Sequence, residues 1–328
     1  MSIQSAMLLL DEKTVVPYLV RRGILKGDGE VETFSGGVSS VVLGVRNQEI
    51  DAVVKQALPQ LRTEIEWKAD RRRSMTEARA IEILKLVTPG NVPNLIDVDR
   101  EVFALTMERV SRDYLVWKEE LLLGNILPKT GADLGLVLAS WHNFACDKEG
   151  VKSEFQEGEL FEQLRVSPFY RTVQLKNPQL SAKIAEMIEQ ITQEKLTLVH
   201  GDFSPKNILV ATDKVPVVVD FEVMNTGNPV FDLAFMLAHL VCKQIRTDSQ
   251  DEKALLRETA GEFLTAYTSR SNLEVASNLR DHVAVIALAR VEGVSPVNYL
   301  TESKQEKVRV KTKQVLASAS ADVLDLFK

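Results

Sequence analysis

The sequence is short of several things, and each shortage removes a class of protein. It has two cysteines, Cys146 and Cys242, too few for a disulfide framework. A reducing environment suits such a chain, and a cytoplasmic location is expected. No apolar run approaches the ~20 residues that a membrane span needs. The opening MSIQSAMLLLDEK carries a short apolar patch, without the basic stretch or cleavage site of an export signal. Basic charge is not in excess. Lys+Arg 40 against Asp+Glu 46 gives a net charge of −6, which provides no field for nucleic acid. Repeats and low-complexity tracts are missing too. Neither nucleic acid, nor a membrane, nor an obligate protein partner is therefore expected. What is present is ordinary for a globular protein. The 328 residues are 45% hydrophobic and 26% charged, enough for one large domain or two lobes.

Organisation along the chain favours two lobes. Residues 11–22 form a first helix candidate that Pro17 weakens. Strands are expected at 31–34, 41–45 and 52–57, joined by a small-residue loop at 35–40 and a turn at 47–51, an antiparallel pattern. An arginine-rich stretch runs to Arg73, and a helix opens at Ser74 and ends before Pro89. Residues 101–107 read as extended. Beyond them the pattern is helical: Leu134, Val137, Leu138, Trp141 and Phe144 recur at helical spacing, as do Leu233, Met236, Leu237, Leu240 and Val241. One β-rich island, 196–222, interrupts the helices. The expected fold class is α+β, with a small antiparallel sheet and one long helix over residues 1–108. A larger, mostly helical lobe is expected over 109–328.

The island carries the chemistry. If ILVA and PVVV pair across a short turn at Asp213 and Lys214, Asn207 stands opposite Asp220 at the open end of the hairpin. An amide oxygen beside a carboxylate makes a hard oxygen site, suited to Mg²⁺ with phosphate oxygens completing the shell. Asp202, in the loop entering the same hairpin, is placed to accept the proton of an attacking hydroxyl. Each residue alone is an ordinary loop residue. The ordered set His200-Gly201-Asp202, Asn207 and Asp220, with apolar strands between, points to a nucleotide–metal site.

The segment HGDFSPKNILV from His200, followed by Val219-Asp220-Phe221-Glu222, resembles the catalytic and metal-binding segments of the aminoglycoside phosphotransferase and choline kinase superfamily. These are small-molecule kinases with a protein-kinase-like fold. NTGNPVFDLAFML from Asn225 and ARVEGVSPVNYL from Ala289 resemble the segments that follow in that family. The resemblance implies Asp202 as catalytic base, Mg²⁺ on Asn207 and Asp220, and ATP as donor. It also implies a phosphate loop at Ser39 and Ser40, with Gly36 and Gly37 permitting the turn. That loop lacks the Gly-Lys-Ser/Thr ending of a Walker A motif. The adenine is expected against backbone groups at Glu108 and Val110. Residues 55–62, KQALPQLR, are similar to methylthioribose kinases. Those kinases carry a tandem arginine where Arg290 here stands alone before Val291.

Lys55 is expected to meet the α- and β-phosphates. Glu77 shares a helical face with Ala80, Ile81 and Leu84, so a buried carboxylate there needs a cation, and Lys55 is the candidate. The alternative for Glu77 is a capping box with Ser74. Glu222 either touches metal or acceptor or anchors its loop. Lys206 is expected to be a solvated loop lysine, with γ-phosphate contact as the alternative, and Asp232 to cap backbone amides near the catalytic loop. Trp141 and His142 read as packing residues. Arg165, Tyr170, Arg171 and Arg290 are candidate contacts for the acceptor. The expected function is ATP- and Mg²⁺-dependent transfer of the γ-phosphate to a hydroxyl of a small molecule of the aminoglycoside, sugar or amino alcohol class. A kinase-like nucleotide binder without catalysis is the alternative. A protein kinase ranks low, because the Asp-Phe-Gly and Ala-Pro-Glu segments are missing.

Overall fold

The computed structural model describes residues 9–34, 39–60, 70–156, 158–318 and 322–328. Two compact units emerge: Met1–Leu86 with Val92–Asp113, and Val87–Asn91 with Tyr114–Lys328.

In the first unit the β-branched runs pair as one antiparallel sheet. Its strands are β1 (Glu30–Thr33), β2 (Ser40–Arg46), β3 (Asp51–Ala57), β4 (Leu95–Asp99) and β5 (Ala104–Glu108), in the order β1-β2-β3-β5-β4. Alternation along the strands sends Leu43, Val45 and Val54 to one face. They join a core with Leu10, Val15, Leu19 and Leu25, built around helix α1 (Val15–Arg21). Pro17 falls in the first turn of α1, where a missing N–H costs little. Asp11 accepts from the Lys13 and Thr14 amides just before it, so the helix is shorter than the 11–22 stretch. Likewise β5 starts at Ala104, because Asp99 ties the amides of Glu101 and Val102 into a turn that Phe103 leaves at φ 57°. Helix α2 (Arg73–Val87) buries Glu77, Ala80, Ile81 and Leu84, the face expected from their spacing.

The second unit is mostly helical. It opens with β6 (Leu115–Val116), α3 (Trp117–Leu123) and α4 (Pro128–Cys146). The short α5 (Glu149–Ser153) and α6 (Glu159–Phe161), a π-helix over Glu162–Arg171, α7 (Thr172–Lys176) and α8 (Ser181–Gln193) follow. The expected island is there: β7 (Thr197–Val199), β8 (Ile208–Val210), β9 (Val217–Val218) and β10 (Asn225–Gly227). Its strands form two small antiparallel sheets, β10-β7 and β6-β8-β9. Helices α9 (Val230–Arg246), α10 (Gln250–Arg270), α11 (Leu279–Glu292) and α12 (Glu302–Ala317) complete the unit. Among the described residues, no helix is long and apolar enough to cross a membrane.

The hairpin of β8 and β9 differs from the expected register by one residue. Ile208 pairs with Val218 and Leu209 with Val217, which puts Val219, not Asp220, opposite Asn207. The loop between them is centred on Asp213 alone, in the left-handed region at φ 57°, rather than on the Asp213–Lys214 pair. Pro216 has no N–H with which to extend the ladder.

Helix α4 meets α10 almost backbone to backbone. A Cβ on Gly131 would lie 2.3 Å from the Thr259 carbonyl oxygen, and one on Gly135 would lie 2.3 Å from that of Phe263. The two glycines sit one turn apart and clear a groove for the partner helix. Gly135→Val is therefore expected to destabilise the protein by about 3 kcal/mol through overpacking. A thermal midpoint within a degree of the parent would show that the helices separate freely.

Candidate active site

The loop after β7 is fixed by a single buried carboxylate. Asp232, in the first turn of α9, accepts from the His200 amide at 2.7 Å and from the Gly201 amide at 2.9 Å. This is the bracing role expected for it. His142 approaches the same carboxylate at 3.4 Å and passes its other ring nitrogen to Tyr267 at 2.9 Å, so it does more than pack. Gly201 has φ +76°, and a Cβ there would lie 2.8 Å from the Val223 carbonyl. Both the backbone angle and the space require glycine. The next amide, Asp202 N–H, donates to His200 Nδ1 at 3.1 Å. Burial holds His200 below its ordinary pKa although Asp232, Asp202 and Asp220 all pull it upward, so the ring stays neutral. Aromatic edges of Phe203 and Phe221 close around His200.

Asp202 itself is buried, which alone would raise its pKa. The cations of Arg165 and Lys206 outweigh that and hold the carboxyl below the ordinary value, against an opposing push from Asp220. Both cations land on the same oxygen. Arg165 Nη2 lies 2.9 Å from Asp202 Oδ2, and Lys206 Nζ lies 2.8 Å from it. Arg165 also donates from Nε to the Gly201 carbonyl. Lys206 is thus an ion-pair partner of the candidate base, not only a solvated loop residue. The Arg165 pairing escaped the sequence reading, because nothing in a linear pattern joins two residues so far apart.

Asn207 donates from Nδ2 to the Asp202 carbonyl at 3.0 Å, which turns its amide oxygen to the other side. Asp220 follows the end of β9 in the left-handed region at φ 70°. Such an angle is uncommon for a residue with a side chain. Phe221, fully buried and 5.8 Å from the Trp141 ring, anchors the turn. Although the register differs, the carboxylate of Asp220 still acts on both Asp202 and His200. Glu222 is buried close by in sequence. An amide oxygen and a carboxylate form a donor set that fits Mg²⁺.

In the first unit, Lys55 Nζ lies 2.7 Å from Glu77 Oε2, with both residues buried. The capping box does not form, because α2 begins at Arg73, ahead of Ser74. Ser40 opens β2 and is buried. The Ser39 carbonyl accepts from the Leu58 amide at 3.0 Å and from the Arg73 guanidinium. Arg73 also holds the Leu58 and Asp70 carbonyls, and Arg71 those of Ala57 and Val102. The arginine-rich stretch is therefore a clamp on the end of β3, a role its polarity concealed. Residues 35–38 of the expected phosphate loop, and Leu61 and Arg62 of KQALPQLR, lie outside the described residues. The amide of Glu108 is taken by the Asn94 carbonyl and that of Arg109 by Asp51.

The other acceptor candidates have partners of their own. Tyr170 is fully buried with its hydroxyl 2.8 Å from His282 Nδ1. It is a core residue, and the expected acceptor contact is corrected accordingly. Arg171 pairs with Glu162 at 2.6 Å on the surface. Arg290 lies over the Phe169 ring at 5.6 Å and donates to Ser295.

A family model for the phosphotransferase enzyme family matches residues 30–271. The chain belongs to this phosphotransferase family. Membership makes it an enzyme that transfers phosphate. Methylthioribose kinase of Bacillus cereus is 22% identical, covering 96% of this chain and 92% of that enzyme. Methylthioribose kinase 2 of Oryza sativa is 22% identical over 75% of this chain, which spans only 65% of that enzyme's length. Among solved structures, a choline/ethanolamine kinase family protein from Mesorhizobium loti has a TM-score of 0.57 at 14% identity, covering 96% of this chain and 98% of its own. Macrolide 2′-phosphotransferase from Brachybacterium faecium has a TM-score of 0.57 at 17% identity, covering 94% and 100%. These likenesses establish the protein-kinase-like α+β fold.

Asp232→Ala in this phosphotransferase would strand two buried amide donors and is expected to cost about 3 kcal/mol or more. Asp232→Asn, which keeps one acceptor oxygen, should cost less. Equal thermal midpoints for the parent and the alanine variant would remove Asp232 as the brace.

Proposed function

We propose that this enzyme moves the γ-phosphoryl group of ATP to a hydroxyl of a small molecule of the aminoglycoside, sugar or amino alcohol class, with Asp202 taking the hydroxyl proton. One observation supports this most: Arg165 and Lys206 both reach Oδ2 of Asp202 and hold this buried carboxylate in its charged, proton-accepting form. The hydroxyl oxygen bonds to the γ-phosphorus, the bond to the bridging oxygen breaks, ADP leaves, and the proton passes to Asp202.

The remaining roles follow from the chemistry of the side chains. Asn207 and Asp220 would hold Mg²⁺, which when bound neutralises charge on phosphate oxygens. Lys55, kept charged and oriented by Glu77, meets the α- and β-phosphates. Backbone groups at Ser39 and Ser40 serve the phosphates, and those at Glu108 and Val110 the adenine. Glu222 stands beside the metal ligands in sequence and shapes the acceptor side.

Asp202→Asn is expected to lower turnover about 10²–10⁴-fold while leaving ATP affinity within about twofold. Turnover equal to the parent would rule out the base role. The charge state gives a second test. With its pKa held below the ordinary value, Asp202 stays ionised as pH falls into the usual carboxylate range. Arg165→Met removes a cation and leaves burial to push the pKa up. The acid limb of kcat/KM should therefore move to higher pH in that variant. An unmoved limb would show that Arg165 does not set the charge of the base.

A further inference from the structure

Among the described residues of the second unit, the polar atoms buried without a hydrogen-bond partner include Nε2 of His239, Nζ of Lys243, Nε of Arg290 and Oη of Tyr299. They belong together. His239 and Lys243 lie one turn apart on α9, against which α11 packs with Arg290. Lys243 Nζ lies 5.2 Å from the centre of the Tyr299 ring. A ladder of rings joins the rest. Phe169 carries Arg290 at 5.6 Å and meets Phe235 at 5.3 Å. Phe235 meets His239 at 5.2 Å and carries Arg165 at 5.7 Å. Arg165 ends the ladder at Asp202. His239 therefore stands two ring contacts from Arg165, the partner of the candidate base, and Arg290 three.

Its charge is one-sided. Lys243 is 2% exposed and His239 5%. Among the described residues neither Lys243 nor Arg290 has a carboxylate in an ion pair. Glu119, whose carboxylate acts on Lys243, pairs with Lys118 at 3.1 Å, and Asp202, whose carboxylate acts on Arg290, is already held by Arg165 and Lys206. Burial pushes the Lys243 ammonium down to about 7 and lowers Arg290 as well. Arg290 keeps one bond, to Ser295 Oγ at 3.3 Å. A buried cation with no counter-charge destabilises a fold, and apolar side chains of the same size would pack there at less cost. Groups that weaken the ligand-free protein and converge near reacting atoms are what a binding site for the opposite charge requires.

We propose that Lys243 and Arg290, with Tyr299 and His239 beside them, bind an anionic group of the acceptor, so that the substrate is an alcohol carrying a carboxylate or a phosphate rather than a cationic amine. The proposal rests on the phosphotransfer reading for the word acceptor and on the cluster alone for the anion, and within that reading it narrows the acceptor to acidic sugars and related alcohols and sets aside the aminoglycoside and amino alcohol classes. A sugar acid, a hydroxy acid and a phosphorylated polyol share the needed chemistry. They present a hydroxyl to Asp202 and an anion to the cations beyond it.

The first experiment is a thermal-shift titration of the full chain with inorganic phosphate. A non-hydrolysable ATP analogue and Mg²⁺ are kept saturating, and ionic strength is held with chloride. The parent is expected to show a saturable rise in its melting midpoint. Lys243→Met and Arg290→Met should each weaken the apparent phosphate affinity at least tenfold. Lys243→Met without phosphate should melt above the parent, as the loss of a buried cation without a counter-charge requires, while losing the phosphate-dependent rise. No response in the parent, or an equal response in both variants, overturns the proposal and leaves these groups to solvent. The second experiment measures ATP consumption with glycerate, glyceramide, glycerol 3-phosphate, choline and kanamycin. Glycerate or glycerol 3-phosphate should exceed glyceramide at least tenfold in kcat/KM, and which of the two leads identifies the anion. Turnover of choline or kanamycin without either acid refutes the anionic acceptor while phosphotransfer stands. A normal phosphate response with no turnover of glycerate or glycerol 3-phosphate supports the anion site and overturns its assignment to the acceptor.

Discussion

The carboxylate of Asp232 takes two consecutive amide protons, from His200 and Gly201, and the geometry of the catalytic loop is set by that grip. With those amides held, Gly201 turns at positive φ against the Val223 carbonyl, and the amide of Asp202 reaches the ring of its neighbour His200. Asn207 then closes the loop by donating to the Asp202 carbonyl. One buried acceptor at the start of α9 therefore positions a candidate base and a candidate metal ligand together. The brace is strong because it is dry: Asp232, His200 and Phe203 are all within 1% of full burial. Hydrogen bonds to a charged group gain in such surroundings.

Burial works against the next residue. Asp202 must stay ionised at 2% exposure, which on its own would favour the protonated acid. Arg165 and Lys206 reverse that balance from outside the loop. The same solution recurs in the first unit, where Lys55 and Glu77 neutralise each other under the sheet. In both places a buried charge is kept by a partner that the fold supplies. Among the described residues, Lys243 and Arg290 have no carboxylate in an ion pair, and they carry a different inference.

Much of this could be read in the amino-acid sequence, for identifiable reasons. Alternating apolar residues in a short stretch give hairpins, and β1 to β3 and β5 appear within a few residues of their expected places. The face shared by Glu77, Ala80, Ile81 and Leu84 follows from a 3.6-residue period, and burial makes its carboxylate seek a cation. Asp232 at a helix start is a familiar acceptor for backbone amides. What escaped the reading has equally physical causes. The β8–β9 register turned on whether one residue or two sits at the loop centre, and a slip of one moves every pair. Tyr170 lies in a π-helix containing Pro168, whose wider turn places side chains where a 3.6-residue period does not. The Arg165–Asp202 pair depends on tertiary packing that no local pattern encodes.

The most direct test of the account is the location of the metal. A crystal of the protein grown with a non-hydrolysable ATP analogue and Mn²⁺ reports the ion by its anomalous scattering. The account predicts manganese bound by the amide oxygen of Asn207 and the carboxylate of Asp220. A nucleotide bound with manganese held by other residues, or with no manganese at that pair, would contradict it.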